Sequence, residues 1–118
     1  MAANPVIEKR NLLTIAGFIA IGSFALTAGD YDQVDFVTLG VVTGALLTGI
    51  VQLWNLTDAV QVVLHTRVGV TSPSDITTAS LVLPAGKRIY EVRHRVTGGG
   101  SPADRVFTSW AGFILTRN

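Results

Sequence analysis

Between Lys87 and Val96 the chain alternates cleanly. Tyr90, Val92 and Val96 fall on one side at period two, and Lys87, Glu91, Arg93 and Arg95 fall on the other. That is the pattern of a strand with one buried face, since a helix would scatter the charges around its girth. Pro84-Ala85-Gly86 precedes the run, and Gly98-Gly99-Gly100-Ser101-Pro102-Ala103-Asp104 follows it, so turn chemistry brackets it at both ends. A second run, Arg105 to Thr116, is expected to return as its hairpin partner. There Phe107, Ala111, Phe113 and Leu115 point one way, while Val106, Trp110 and Ile114 point the other. A monomeric sandwich needs only one buried face per sheet, so the second apolar face of this strand is expected to meet another subunit.

Upstream the same grammar continues. Val60, Val62, Leu64, Thr66 and Val68 alternate with Gln61, His65 and Arg67, which predicts a strand with the latter set on its polar face. Asn55-Leu56-Thr57-Asp58 is a polar turn, because Asn and Asp side chains bond their own backbone. Thr71-Ser72-Pro73-Ser74-Asp75 is a loop, and Ile76 to Leu83 a further strand. Leu12–Ala28 and Phe36–Trp54 are uncharged runs of 17 and 19 residues. Their lengths admit a membrane helical hairpin over 12–54 as an alternative, with Gly40 and Gly44 at a helix-contact spacing. Glycine at this density disfavours helix by about 1 kcal/mol per site, and in strands it marks bulges and close approaches. The favoured reading divides the second run at Thr43-Gly44-Ala45 into strands Val34–Val42 and Leu46–Leu56. Residues 1–11 are polar, hold Pro5 and the cluster Glu8-Lys9-Arg10, and are expected to form an extended N-terminal arm. They also resemble the n-region of a signal peptide, although Glu8 argues against processing. The expected architecture is all-β: an antiparallel β-sandwich or jelly roll of about 7–8 short strands occupying 12–118 as a single domain.

Composition sharpens this picture. Of 118 residues 48 % are hydrophobic and 14 % charged, well below the roughly 25 % charged of ordinary soluble domains. Such a chain must hide apolar surface against copies of itself or in a membrane. The absence of cysteine excludes disulfides, thiolate zinc sites and thiol nucleophiles. The net charge of +1 gives no case for nucleic acid. It is divided unevenly: residues 1–66 hold two basic and five acidic side chains, residues 67–118 seven and three. Halves of −3 and +4 would suit neighbours meeting tail to head.

Candidate chemistry is sparse. His65 is expected on a solvated face and His94 on a buried one, neither at a metal-ligand spacing from a carboxylate. Gly98-Gly99-Gly100-Ser101 lacks the Lys-Ser/Thr and following helix of a phosphate loop. Asp30, Asp32 and Asp35 have calcium-like density without the EF-hand glycine and glutamate. Arg88, Arg93 and Arg95 are interleaved with Glu91 and lack stacking aromatics on their own face. No catalytic, cofactor or metal residues are assigned.

The wording from Thr48-Gly49-Ile50-Val51-Gln52-Leu53-Trp54-Asn55-Leu56-Thr57-Asp58 through Leu81-Val82-Leu83-Pro84-Ala85-Gly86, Ile89-Tyr90-Glu91-Val92-Arg93, Val96-Thr97-Gly98-Gly99 and Asp104-Arg105-Val106 resembles small jelly-roll structural proteins of phage virions: head decoration, fibre or tail-associated domains. The resemblance covers about residues 34–116. It implies a non-enzymatic virion protein, a capsid decoration or minor capsid component, that assembles as a trimer or lattice with copies of itself and with a capsid or other virion protein. A tail or fibre module binding host glycans through exposed tryptophan is the alternative. The expected subunit-interface residues are Pro5, Val6, Ile7, Lys9 and Arg10 of the arm, Arg93 and Arg95 of the charged strand, and Val106, Trp110 and Ile114 of the last.

Overall fold

The structure, a computed structural model, describes residues 6–13, 19–42, 47–69, 72, 74–98 and 106–117; for 6–13, 19, 74 and 106–108 the description is of the backbone alone. Eight strands form: β1 (Val6–Leu13), β2 (Ile19–Thr27), β3 (Gln33–Val42), β4 (Leu47–Asn55), β5 (Val60–Val68), β6 (Ser74–Thr78), β7 (Lys87–Gly98) and β8 (Val106–Thr116). A 3-10 turn, Ala28–Asp30, links β2 to β3. The strands divide into two antiparallel four-stranded sheets, ordered β1-β8-β3-β6 and β2-β7-β4-β5. This is the jelly-roll order. Among the described residues no helix is long and apolar enough to cross a membrane, and the proposed helical hairpin over 12–54 gives way to β2, β3 and β4. Glycine and β-branched residues in those runs favour extended backbone over helix.

Strand existence follows the hydrophobic pattern closely, but pairing does not. The β4–β5 connection alone joins sequence neighbours within one sheet; every other link carries the chain from one sheet to the other. The expected hairpin between β7 and β8 is therefore corrected. β7 lies between β2 and β4, and β8 lies between β1 and β3 in the opposite sheet. Turn residues announce a reversal without saying which sheet receives the returning strand. The seven residues 99–105 can span up to roughly 23 Å, more than the roughly 10 Å between packed sheets.

The arm is corrected as well. Residues 6–13 form β1, paired antiparallel with β8 from Val6↔Gly112 to Leu13↔Val106. Apolar residues flank Glu8-Lys9-Arg10 on both sides, and a register shift between Ile7 and Arg10 accommodates the charged stretch. An edge strand tolerates, and is protected by, such charges. Pro5 lies outside the described residues.

Two further differences have local causes. The strand expected over Ile76–Leu83 ends at Thr78, because Ser80 takes a positive φ of 53° and turns the chain out of the sheet. In β5 the pairing jumps from Leu53↔Val63 to Trp54↔Gln61, a bulge that inserts one extra residue and reverses the alternation on either side of it. His65 and Arg67 consequently face inward, 3 % and 2 % exposed, while Leu64 and Val68 face outward. The sequence assigns them the other way round.

The core lies between the sheets, with Leu26, Val34, Phe36, Val51, Leu53, Tyr90, Val92, Val96 and Phe113 all buried. Phe113 of β8 is its centre. Its ring meets Phe24 edge-on at 4.8 Å, and Phe36 and Tyr90 each at 5.9 Å. Edge-to-face pairs of this kind add about 0.5–1.5 kcal/mol each beyond area burial. At one end the predicted Asn55–Asp58 turn forms: Asn55 Nδ2 donates to Asp58 Oδ2 at 2.9 Å, and the Asp58 amide donates to Asn55 Oδ1 at 3.0 Å.

Candidate functional site

The outer face of the β1-β8-β3-β6 sheet is the first candidate. Alternation along β8 turns Ser109, Ala111, Phe113 and Leu115 inward, and all four are buried. Trp110, Gly112 and Ile114 therefore face out, with Ile114 40 % exposed. Sequence inspection missed what lies beside them. β3 also carries apolar residues in both phases, and the register sets Leu39 opposite Trp110 and Val37 opposite Gly112. Leu39 is 41 % exposed, and Val37 and Val41 are half-buried. The run Phe36 to Val42, broken only by Thr38 and Gly40, holds the same signal that singles out β8. The result is an apolar patch on a sheet face directed away from the core.

The interface residues expected from sequence divide between two faces. Trp110 and Ile114 share the sheet of β1, whose Val6, Ile7 and Arg10 pair through their backbones with Gly112, Ala111 and Ser109. Val106 pairs with Leu13 at the far end of β8, and Lys9 falls within the register shift. Arg93 and Arg95 lie on β7, in the opposite sheet. There the Arg93 guanidinium stacks over the Trp54 ring at 4.7 Å and forms an ion pair with Glu91. Arg88 pairs with Asp58 at 2.8 Å, and that contact lowers the Asp58 carboxyl below its ordinary pKa. The basic ladder is thus largely engaged within the subunit, and one face of Trp54 is covered by a cation. Among the described residues two contacts join the −3 and +4 halves of the sequence within the subunit: Arg88 meets Asp58, and Arg117 donates to the Asp30 carbonyl at 3.1 Å.

The interior holds polar bridges that the sequence misassigned. His65 of β5 reaches across the sandwich. Its Nδ1 shares a 2.8 Å hydrogen bond with Thr38 Oγ1 on β3, and its Nε2 one of 2.8 Å with Thr78 Oγ1 on β6. Arg67 Nη2 donates to the Thr38 carbonyl at 2.7 Å and to Thr38 Oγ1 at 2.9 Å. Thr38 Oγ1 thus bonds both Arg67 and His65, and of the two neutral imidazole nitrogens one donates to its threonine and the other accepts. His94 makes a second bridge, from Nδ1 on β7 to Ser109 Oγ on β8 at 2.8 Å. Desolvation pulls both imidazoles down to about 4, helped at His65 by the positive charge of Arg67. Burial also lowers the Arg67 guanidinium, with the Asp75 carboxylate opposing it. Neutral at physiological pH, and with both His65 nitrogens committed to threonines, the two histidines tie sheet to sheet.

The acidic loop serves the fold in a similar way. Asp35 Oδ1 accepts from Gln33 Nε2 and from the Ser80 amide, each at 2.8 Å. Among the described residues no three His, Cys, Asp or Glu side chains gather to hold a metal ion.

No protein-family model matches the chain, and no curated protein matches it in sequence. Solved structures do share its fold. A chain described as a Bacillus endospore appendage, from a family of disulfide-linked pili, superposes with a TM-score of 0.54 at 12 % identity, covering 99 % of this chain and 93 % of that one. A chain of the infectious bursal disease virus particle gives 0.54 at 13 % identity over 96 % of this chain. The VP2 subviral particle of the same virus gives 0.53 at 10 % identity. This chain spans only 31–32 % of the viral chains. At these identities the likeness is one of fold.

Proposed function

We propose that this jelly roll is a non-enzymatic building block of a virion, a capsid decoration or minor capsid protein, that assembles with copies of itself in a trimer or lattice and attaches to a capsid protein. The observation that carries the reading is the apolar outer face formed by Val37, Leu39 and Val41 of β3 with Trp110 and Ile114 of β8. Likeness to virus-particle chains supports it, as does a buried polar network spent on joining sheets rather than on presenting reactive groups. The test is assembly itself. Leu39→Asp places a carboxylate in the middle of the patch, opposite Trp110, at a position already 41 % exposed, so the subunit fold survives while association weakens at least tenfold by sedimentation. Unchanged association of a correctly folded Leu39→Asp protein refutes the use of this face.

A filament subunit is the second reading, favoured because the appendage protein matches this chain end to end, 99 % against 93 %, where the viral chains are three times longer. A chain without cysteine cannot make the disulfide links of those pili, so its filament would rest on packing alone. Electron microscopy of concentrated protein separates the two, as closed rings or sheets against fibres.

A further inference from the structure

One end of the sandwich carries a knob beside a hole. The segment 79–86 between β6 and β7 is irregular but firmly held. The Leu81 amide donates to the Val34 carbonyl at 2.8 Å, and the Gly29 amide to the Ala85 carbonyl at 2.9 Å. Between these fastenings Val82 stands 99 % exposed, against 69 % for Val68 and less for every other exposed large apolar side chain among the described residues. Its position is imposed by the anchored backbone on either side. Beside it opens a cavity of about 250 Å³. Ala28, Val34, Leu81, Val82, Leu83 and Ala85 supply the apolar part of its lining, and Tyr31, Asp32, Gln33 and Ser80 the polar part.

We infer that this end is a two-fold docking surface for a second copy, in which Val82 of each subunit enters the cavity of the other. An isologous contact requires one patch to hold both complementary halves; an aliphatic knob and a partly apolar hole on the same loop end meet that requirement. Charge agrees with the shape. Asp30 and Asp32 are exposed on the 28–33 side of the hole, and Lys87 is exposed two residues beyond Ala85 on the other side, so one patch carries both signs of charge, as a two-fold contact can use. The two shorter dimensions of the molecule, 26 and 19 Å, limit such an end contact to the small interfaces near about 1,000 Å² over both copies, so the dimer is a weak one. This surface adjoins the Asp35–Ile114 end of the β3–β8 face, and the inference does not rest on the virion reading.

The test is run in the Leu39→Asp background; Leu39 lies five residues along β3 from Val34 of the cavity wall, so its replacement isolates the end contact from association through the sheet face. Sedimentation velocity from 10 µM to 1 mM is expected to show a monomer–dimer equilibrium, retained by Val82→Ile and weakened at least tenfold by Val82→Asp. A residue 99 % exposed leaves the subunit fold unaffected when replaced. Because the chain has no cysteine, crosslinking then reads the geometry. A mixture of Val82→Cys and Ala28→Cys proteins should form a covalent heterodimer under mild oxidation, and neither should crosslink alone. A monomer throughout, an equilibrium indifferent to Val82→Asp, or Val82→Cys crosslinking to itself would each overturn the inference.

Discussion

Lowering the pH should unlock the sandwich through its two buried histidines. His65 and His94, 3 % and 1 % exposed, titrate near 4 in the folded protein and near 6.5 when unfolded. The unfolded chain therefore binds protons first. Stability is fully present above pH 6.5 and is lost as pH falls from 6.5 toward 4. Within that window the unfolded state holds up to two more protons than the folded state, so stability falls by up to about 2.7 kcal/mol per pH unit. Carried across the whole window, the loss reaches about 3 kcal/mol per histidine, a large share of the 5–15 kcal/mol typical of a domain. Arg67 adds to the penalty at His65, because an imidazolium there would face a buried guanidinium across Thr38. Urea unfolding at pH 8, 6.5, 5.5 and 4.5 measures this directly. Replacing His94 by Gln should roughly halve the slope between pH 6.5 and 4.5, whatever it costs at pH 8, and replacing both histidines should nearly remove it. A slope that persists in the double variant would refute the reasoning and assign the acid sensitivity to carboxylates, of which Asp58, lowered by Arg88, should respond only below pH 4.

Two further outcomes test the packing. Phe113→Ala empties the position where three aromatic rings converge and should cost about 3–5 kcal/mol in chemical denaturation; a loss under 1 kcal/mol would show that the core closes around the gap. Gly29→Ala would put a Cβ 2.9 Å from the Ala85 carbonyl oxygen, forcing apart the two segments that border the cavity, and should lower the thermal midpoint by several degrees, with about 1 kcal/mol corresponding to roughly 4–8 °C in a domain of this size.

What the sequence made legible depended on the range of the physics involved. Tyr90, Val92 and Val96 declared β7 because a half-buried strand writes its environment into alternate residues. Trp110 and Ile114 announced an outward apolar face for the same local reason, and the face was incomplete without Leu39 and Val37, which only the register of β3 on β8 supplies. His65 and Arg67 were misplaced by one bulged residue near Gln61, since a single insertion inverts a period-two pattern without altering composition. The β7–β8 hairpin failed differently. Glycine-rich turn wording encodes a reversal, whereas the choice of sheet is made by packing among residues distant in sequence. In β1 the charges of Glu8, Lys9 and Arg10 masked a strand, because polar edge positions resemble an unstructured arm until a partner is known.

The pairing of β1 with β8 has a consequence in time. The first strand has no partner until one about a hundred residues downstream appears, an interval of about 5–20 s at ordinary rates of synthesis. During that interval β3 also lacks its central neighbour, and the sheet bearing the apolar outer face does not yet exist as a surface. A nascent chain that lacks β8 is thus unable to present that face. That face comes into being only once β8 threads between β1 and β3.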